Sequence, residues 1–227
     1  METLTKDVLF NIATMLDLDN LLSFCNSDPR INRLICQDRT IWLFKLVREF
    51  PEWKQLNMEP KQSYELLISL TKLKEGIKYT GSIYKLYNET KLYLSNIGLT
   101  SLPSEIGKLS KLQTLYLTNN QIKTLPPEIG KLTQLRRLWL DNNQITSLPP
   151  EIGNLNQLRV LYLDNNQIII LPPEIGNLTQ LQTLTLYRNQ IKTLPPEIEN
   201  LNQLRVLYLD QNVTVPSGLK LLSRIYK

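Results

Sequence analysis

A pattern in this 227-residue chain returns every 23 residues between positions 89 and 215, in units that begin at Glu89, Leu112, Leu135, Leu158, Leu181 and Leu204. Four of these units share the frame L-x-x-L-x-L-x-x-N-x-I-x-x-L-P-P-E-I-x-x-L, and nine of the thirteen prolines occupy its two proline slots. A unit this short cannot bury a hydrophobic face alone, so the units must stack and cover one another. Leu115 and Leu117, then Leu138 and Leu140, alternate with period two, which puts them on one side of a short strand. Identical strands at a fixed interval predict a parallel sheet with a continuous leucine core behind it. Asn120, Asn143, Asn166, Asn189 and Asn212 stand where the chain leaves each strand, and their amides can bond backbone groups of adjacent turns. Proline has no N–H, so the Leu-Pro-Pro-Glu-Ile segment cannot extend the ladder. It is expected to return on the outer side, extended or as a short helix.

These residues resemble the leucine-rich-repeat family, in its 23-residue L-P-x-x-I subtype, over residues 89–215. The resemblance implies an α/β fold: a curved solenoid with a parallel sheet of six units on its concave side. The end units depart from the frame as caps do. The first has Glu89 for leucine, Ile97 for asparagine and Ser104 for the second proline, and the last breaks after Asn212. Leu219, Leu222 and Ile225 lie at helical spacing, so residues 216–227 are expected to form a C-terminal cap helix.

Between the leucines of each strand, side chains point out from the sheet. One slot holds Tyr93, Tyr116, Trp139, Tyr162, Thr185 and Tyr208. Two residues later come Ser95, Thr118, Asp141, Asp164, Tyr187 and Asp210, and on the other flank Lys91, Thr114, Arg137, Val160, Thr183 and Val206. Strands lie ~4.8 Å apart, so the aromatic row would run on the order of 24 Å, the scale of an extended peptide or a helix surface. Exposed tyrosine and tryptophan beside charged residues make a hot-spot strip for a protein partner. The expected target-binding residues are Tyr93, Tyr116, Trp139, Tyr162, Tyr187, Tyr208, Arg137, Asp141, Asp164 and Asp210.

The chain contains no histidine, which removes Ser-His-Asp and Cys-His nucleophiles, HExxH metal sites and an imidazole switch. Its eight glycines form neither GxGxxG nor GxxxxGK[ST]. The aspartate column offers paired carboxylates, but on an open face they lack a pocket to shift their pKa. No catalytic residue, metal site or cofactor is therefore expected, and the chain reads as a non-enzyme. Two cysteines, Cys25 and Cys36, are too few for a disulfide scaffold and read as reduced core thiols of a cytoplasmic protein. The formal charge is +5. It lies wholly in residues 91–227, where basic residues are spaced among aspartates that would repel phosphate, so nucleic acid is not an expected partner. No stretch approaches the ~20 apolar residues of a membrane helix, and a membrane partner is not expected either.

Residues 1–55 carry no repeat. Apolar residues at helical spacing (Leu9, Ile12 and Met15; Leu21 and Cys25; Ile31 and Ile35; Ile41, Trp42 and Leu46) predict a small all-α bundle. The order of its residues resembles the F-box: Leu4-Thr5-Lys-Asp7-Val8-Leu9 for the opening, Leu16 to Leu22 for the centre, and Asp38 to Trp42 for the close. Thr5 stands where that family has proline. The resemblance implies docking onto the F-box adaptor of a cullin–RING ubiquitin ligase through Leu4, Thr5, Val8 and Leu9. Large DNA viruses and protists combine such modules, which would make the target a host protein and the location the host cytoplasm. Residues 56–88, with an amphipathic helix from Pro60 to Lys78, are expected to cap the first repeat. The resulting expectation is a substrate receptor that holds a target on its repeats and a ligase on its bundle. The rival reading is a ligase-independent scaffold or self-associating binding protein.

Overall fold

The computed structural model describes residues 9, 13, 15, 16, 18–27, 29–32, 36, 37, 39–50, 53–56, 58–217, 225 and 226. The chain divides into two compact units, residues 1–72 and 73–227. In the first are helices α1 (Leu18–Ser27), α2 (Pro29–Ile31) and α3 (Arg39–Glu49), a 3-10 turn (Trp53–Leu56) and most of α4 (Pro60–Gly76). Leu9, Leu21, Ile41, Trp42, Leu46, Tyr64 and Leu70 are buried in its core. The Trp42 ring lies 5.7 Å from that of Tyr64, and its indole N–H donates to the Cys36 carbonyl at 2.9 Å.

Cys25 and Cys36 are not free thiols: they form a disulfide, with Cα atoms 5.9 Å apart. They stand eleven residues apart in sequence, and the reversal of the chain after α1 brings them together. Local spacing carries no sign of that approach. A buried lysine was equally illegible. Lys45 on α3 is fully buried; its ammonium donates to the Leu16 carbonyl and lies 3.5 Å from the Glu49 carboxylate. The Tyr64 hydroxyl donates to the same carboxylate at 2.8 Å. Burial works to raise the pKa of Glu49. Hydrogen bonds from Arg48 and Tyr64, with the charge of Lys45, outweigh it and hold the carboxyl below its ordinary value.

The second unit holds the last residues of α4, helix α5 (Ile83–Asn88) and a parallel sheet in sequence order: β1 (Lys91–Tyr93), β2 (Thr114–Tyr116), β3 (Arg137–Trp139), β4 (Val160–Tyr162), β5 (Thr183–Thr185), β6 (Val206–Tyr208) and β7 (Ile225–Tyr226). The register advances by one repeat per strand, so Leu115 pairs with Leu92 and Leu138, and Leu161 with Leu138 and Leu184. Every one of these leucines is buried. The proline segments return as 3-10 turns behind the sheet: Ser104–Lys108, Pro127–Lys131, Pro150–Asn154, Pro173–Asn177 and Pro196–Asn200. The first proline of each pair sits extended just ahead of the turn and the second opens it, where a missing N–H costs nothing.

The seventh strand corrects the expected C-terminal helix. Ile225 and Tyr226 pair in parallel with Leu207 and Tyr208, which closes part of an edge that β6 would otherwise leave with unpaired backbone groups. Residues 218–224 of the expected helix lie outside the described residues. At the other end, residues 73–88 of this unit lie beside the first repeat. A side chain at Gly76 would sit 2.6 Å from the Pro103 ring, Leu86 is fully buried, and the Tyr79 hydroxyl donates to Glu89 at 2.9 Å.

Candidate protein-binding face

Behind the sheet surface, four asparagines fix the spacing of the strands. Each donates two amide hydrogen bonds, one to a leucine carbonyl of its own repeat and one to the repeat before. Asn143 bonds Leu140 and Leu117, both at 3.0 Å, and Asn166 bonds Leu163 and Leu140, also at 3.0 Å. Their side-chain oxygens accept the backbone N–H of Ile122 and Ile145. Asn120 and Asn189 repeat the arrangement. Asn212 is exposed and, among the described residues, makes none of these bonds. The residue just before each ladder asparagine takes a left-handed backbone: Asn119, Asn142, Asn165 and Arg188 at φ 54 to 57. Asparagine tolerates that region better than most residues, which is why the pairs read Asn-Asn. The doubled asparagine is the sequence signal that could have revealed it.

The rigid ladder carries the aromatic row. Tyr93 stacks on Tyr116 with centroids 4.7 Å apart and planes 6° from parallel. Trp139 lies 5.6 Å from Tyr116 and 4.3 Å from Tyr162. Four rings from four successive strands therefore form one continuous strip, as their common slot predicts. The indole N–H of Trp139 is buried and finds no acceptor among the described residues. Thr185 then interrupts the strip and is itself buried, while Tyr187 and Tyr208 stand exposed beside it. The backbone register pairs Tyr226 of β7 with Tyr208. On one flank Lys91 and Arg137 are exposed.

The aspartates of the other flank do more than line an edge. Asp164 accepts the Tyr187 N–H at 2.8 Å. Asp210 accepts the N–H groups of Arg188 and Asn189, both at 3.1 Å. In earlier repeats the equivalent N–H groups bond main-chain carbonyls of the next turn, as Asn142 does with Asp164 and Asn143 with Asn165. In the broken last repeat the Asp210 carbonyl accepts from the Val213 N–H instead, and the Asp210 carboxylate takes the two N–H groups. Asp210 is thus a terminal cap of the ladder. The open face also shifts pKa values, contrary to expectation. Burial, then the charge of Asp164, pushes Asp141 up to about 6 against hydrogen bonds from backbone N–H groups and Thr118. Burial first, with Asp210 adding to it, raises Asp164 against bonds from Thr185 and Tyr187. Neighbouring repeats put these like charges side by side.

Of the expected adaptor-binding residues, Leu4, Thr5 and Val8 lie outside the described residues. Leu9 is 3% exposed and belongs to the core of the first unit, so it presents no surface. Among the described residues there, Met15 and, on α3, Leu43 and Val47 are exposed apolar side chains, at 82%, 39% and 58%.

The leucine-rich-repeat region model matches residues 66–162 and 147–226. The chain belongs to the leucine-rich-repeat family. That family is typically a non-enzymatic protein-interaction module. Comparison with curated proteins gives no match. Among solved structures, a leucine-rich-repeat protein of Leptospira interrogans is 44% identical over 61% of this chain, with a TM-score of 0.56. The ectodomain of the plant membrane receptor kinase GASSHO1/SCHENGEN3 from Arabidopsis thaliana, solved in complex with Casparian strip integrity factor 2, is 33% identical over 63% of this chain, with a TM-score of 0.55. This chain spans 35% of the first of those chains and 18% of the second.

Proposed function

We propose that the chain captures a protein target on the open face of its sheet, with the ring strip Tyr93–Tyr116–Trp139–Tyr162 as the anchor. The observation that carries this reading is the strip itself: four rings in contact on a rigid ladder lose little conformational entropy when a partner covers them. Lys91 and Arg137 on one flank and the aspartates on the other give the partner a polarity to match. Tyr187 and Tyr208 extend the contact past Thr185.

In the fuller form of the proposal, the N-terminal unit holds the F-box adaptor of a cullin–RING ligase in the cytoplasm, so that target and ligase are brought together by proximity. Its support is the order of residues from Leu4 to Trp42. A second reading, a ligase-independent binding protein, is favoured by the Cys25–Cys36 disulfide, which persists in oxidising compartments and is rare in the cytosol.

Affinity mass spectrometry on the intact protein from its native cell, beside the Trp139→Ala/Tyr162→Ala variant, tests all of this. Capture is expected to fall at least tenfold in the variant while its circular dichroism stays unchanged. Equal capture by a well-folded variant rejects the face as the site. Recovery of a cullin–RING adaptor supports the fuller form, and capture of a target without an adaptor leaves the ligase-independent reading.

A further inference from the structure

We propose that the outer edge of β1 is a strand-addition site, separate from the open face, that takes a short extended segment of a partner protein carrying an aromatic and an acidic residue. The hydrogen-bond parity of the sheet defines the edge. The N–H of Leu94 donates to Tyr116, and Thr90 accepts from Thr114, so the even-numbered residues of β1 bond β2. In a strand the main-chain groups of alternate residues turn to opposite sides. The N–H and C=O of Lys91 and Tyr93 therefore point away from β2. β1 pairs with β2 alone, and among the described residues no backbone bond reaches those groups.

That edge opens on a cavity of about 270 Å³ rather than on a covering strand. Ile77, Lys78 and Tyr79 form one wall, and Lys91, Leu92 and Tyr93 the other. Lys78 ends α4 in a left-handed conformation (φ 53), a position that usually goes to glycine. The turn is closed by the Tyr79 N–H donating to Lys74 and the Lys78 N–H donating to Glu75.

Three properties of the cavity specify the occupant. The free main-chain groups at Lys91 and Tyr93 ask for extended backbone, and β1 is only three residues long, so a segment of three or four residues satisfies it. Tyr93 is the first ring of the stack and is 68% exposed, with Tyr116 on one side of it. A strand added in register puts a side chain against its other face, which an aromatic residue fills as the other strands do. The charges are uneven. Lys78 and Lys91 are exposed, while the nearby Glu89 carboxylate is engaged by the Tyr79 hydroxyl, itself pushed up to about 12 by burial and by Glu89. An acidic residue in the segment completes that balance.

The probe is the acetylated and amidated peptide Val-Leu-Tyr-Leu-Asp, titrated into the full chain while amide hydrogen exchange is followed. At saturation, exchange at Lys91 and Tyr93 is expected to slow at least tenfold, with the amides of β3 and β4 unaffected. A peptide N-methylated at its tyrosine and second leucine is expected to bind at least tenfold more weakly. Lys91→Pro removes an outward-facing N–H, a change that edge strands tolerate; it is expected to abolish binding with the fold retained. The Trp139→Ala/Tyr162→Ala variant is expected to bind the peptide as the native chain does, which separates this site from target capture on the open face. No protection at Lys91 and Tyr93 up to about 1 mM peptide, the weak end for a specific contact, overturns the proposal. Unchanged binding by folded Lys91→Pro overturns it too. Concentration-dependent protection of the same amides without peptide also overturns it, because a second copy of the chain would then be the occupant.

Discussion

Asp141 is the residue at which the open face shows most clearly in a measurable quantity. Its carboxyl titrates at about 6 in the folded chain, above the 3.8 of a free aspartate. Between those values the folded protein holds a proton that the unfolded chain has released. Stability therefore falls as pH rises through that window and stays lower above pH 6. Asp141→Asn is expected to raise the melting temperature at pH 7.5 by a few degrees and to flatten its dependence between pH 4 and 6. The side chain is partly exposed, so the gain is on the order of 1 kcal/mol, less than the full shift would suggest. A variant that melts at or below the native temperature at pH 7.5 counts against the like-charged pair. Asp210 belongs to the same column but does a different job. Its position two residues past the row was legible in the sequence, whereas its role as an N–H cap depends on the last turn directing the Asp210 carbonyl to Val213.

Among elements, the 3-10 turns set how closely repeats can approach. A Cβ at Gly130, Gly153 or Gly176 would lie 2.5, 2.6 or 2.4 Å from the main-chain oxygen of Glu151, Glu174 or Glu197 in the following turn. Neither atom belongs to a flexible side-chain end, so the backbone must move. Gly153→Ala is expected to cost about 2 kcal/mol by denaturant unfolding of the repeats, in the range for overpacked sites. A loss below about 0.5 kcal/mol would mean that the turns have slack. The same slot in the turn Pro196–Asn200 holds Glu199. The sequence places glycine in this slot of the units that begin at Glu89, Leu112, Leu135 and Leu158. Its reason does not appear there, because the clash lies with a residue 21 positions onward that only stacking brings near.

At the scale of the molecule, the two units are held by different means. The repeats depend on stacked leucines and the asparagine ladder, and the N-terminal unit on a modest core, the Lys45–Glu49–Tyr64 cluster and the Cys25–Cys36 bridge. Closing a loop of that length stabilises a folded state by roughly 2–3 kcal/mol. Cys25→Ser with Cys36→Ser is expected to raise amide exchange in α1 and α3 by about that amount and to leave β2–β5 unchanged. Equal exchange in the N-terminal unit with and without the bridge refutes its stabilising role.

The sequence by itself determined the repeat architecture, the parallel sheet, the buried leucines and the aromatic row. Each of these follows from a period: two within a strand and 23 between strands, and a period is a local property of the chain. Tertiary structure decided the rest. It paired Cys25 with Cys36, buried Lys45 and Leu9, turned Ile225 and Tyr226 into a seventh strand, and raised the pKa of Asp141. It also left the outer edge of β1 open onto a cavity. All of these depend on atoms far apart in sequence being brought to within a few ångströms, and on water being kept from them, which no local pattern records.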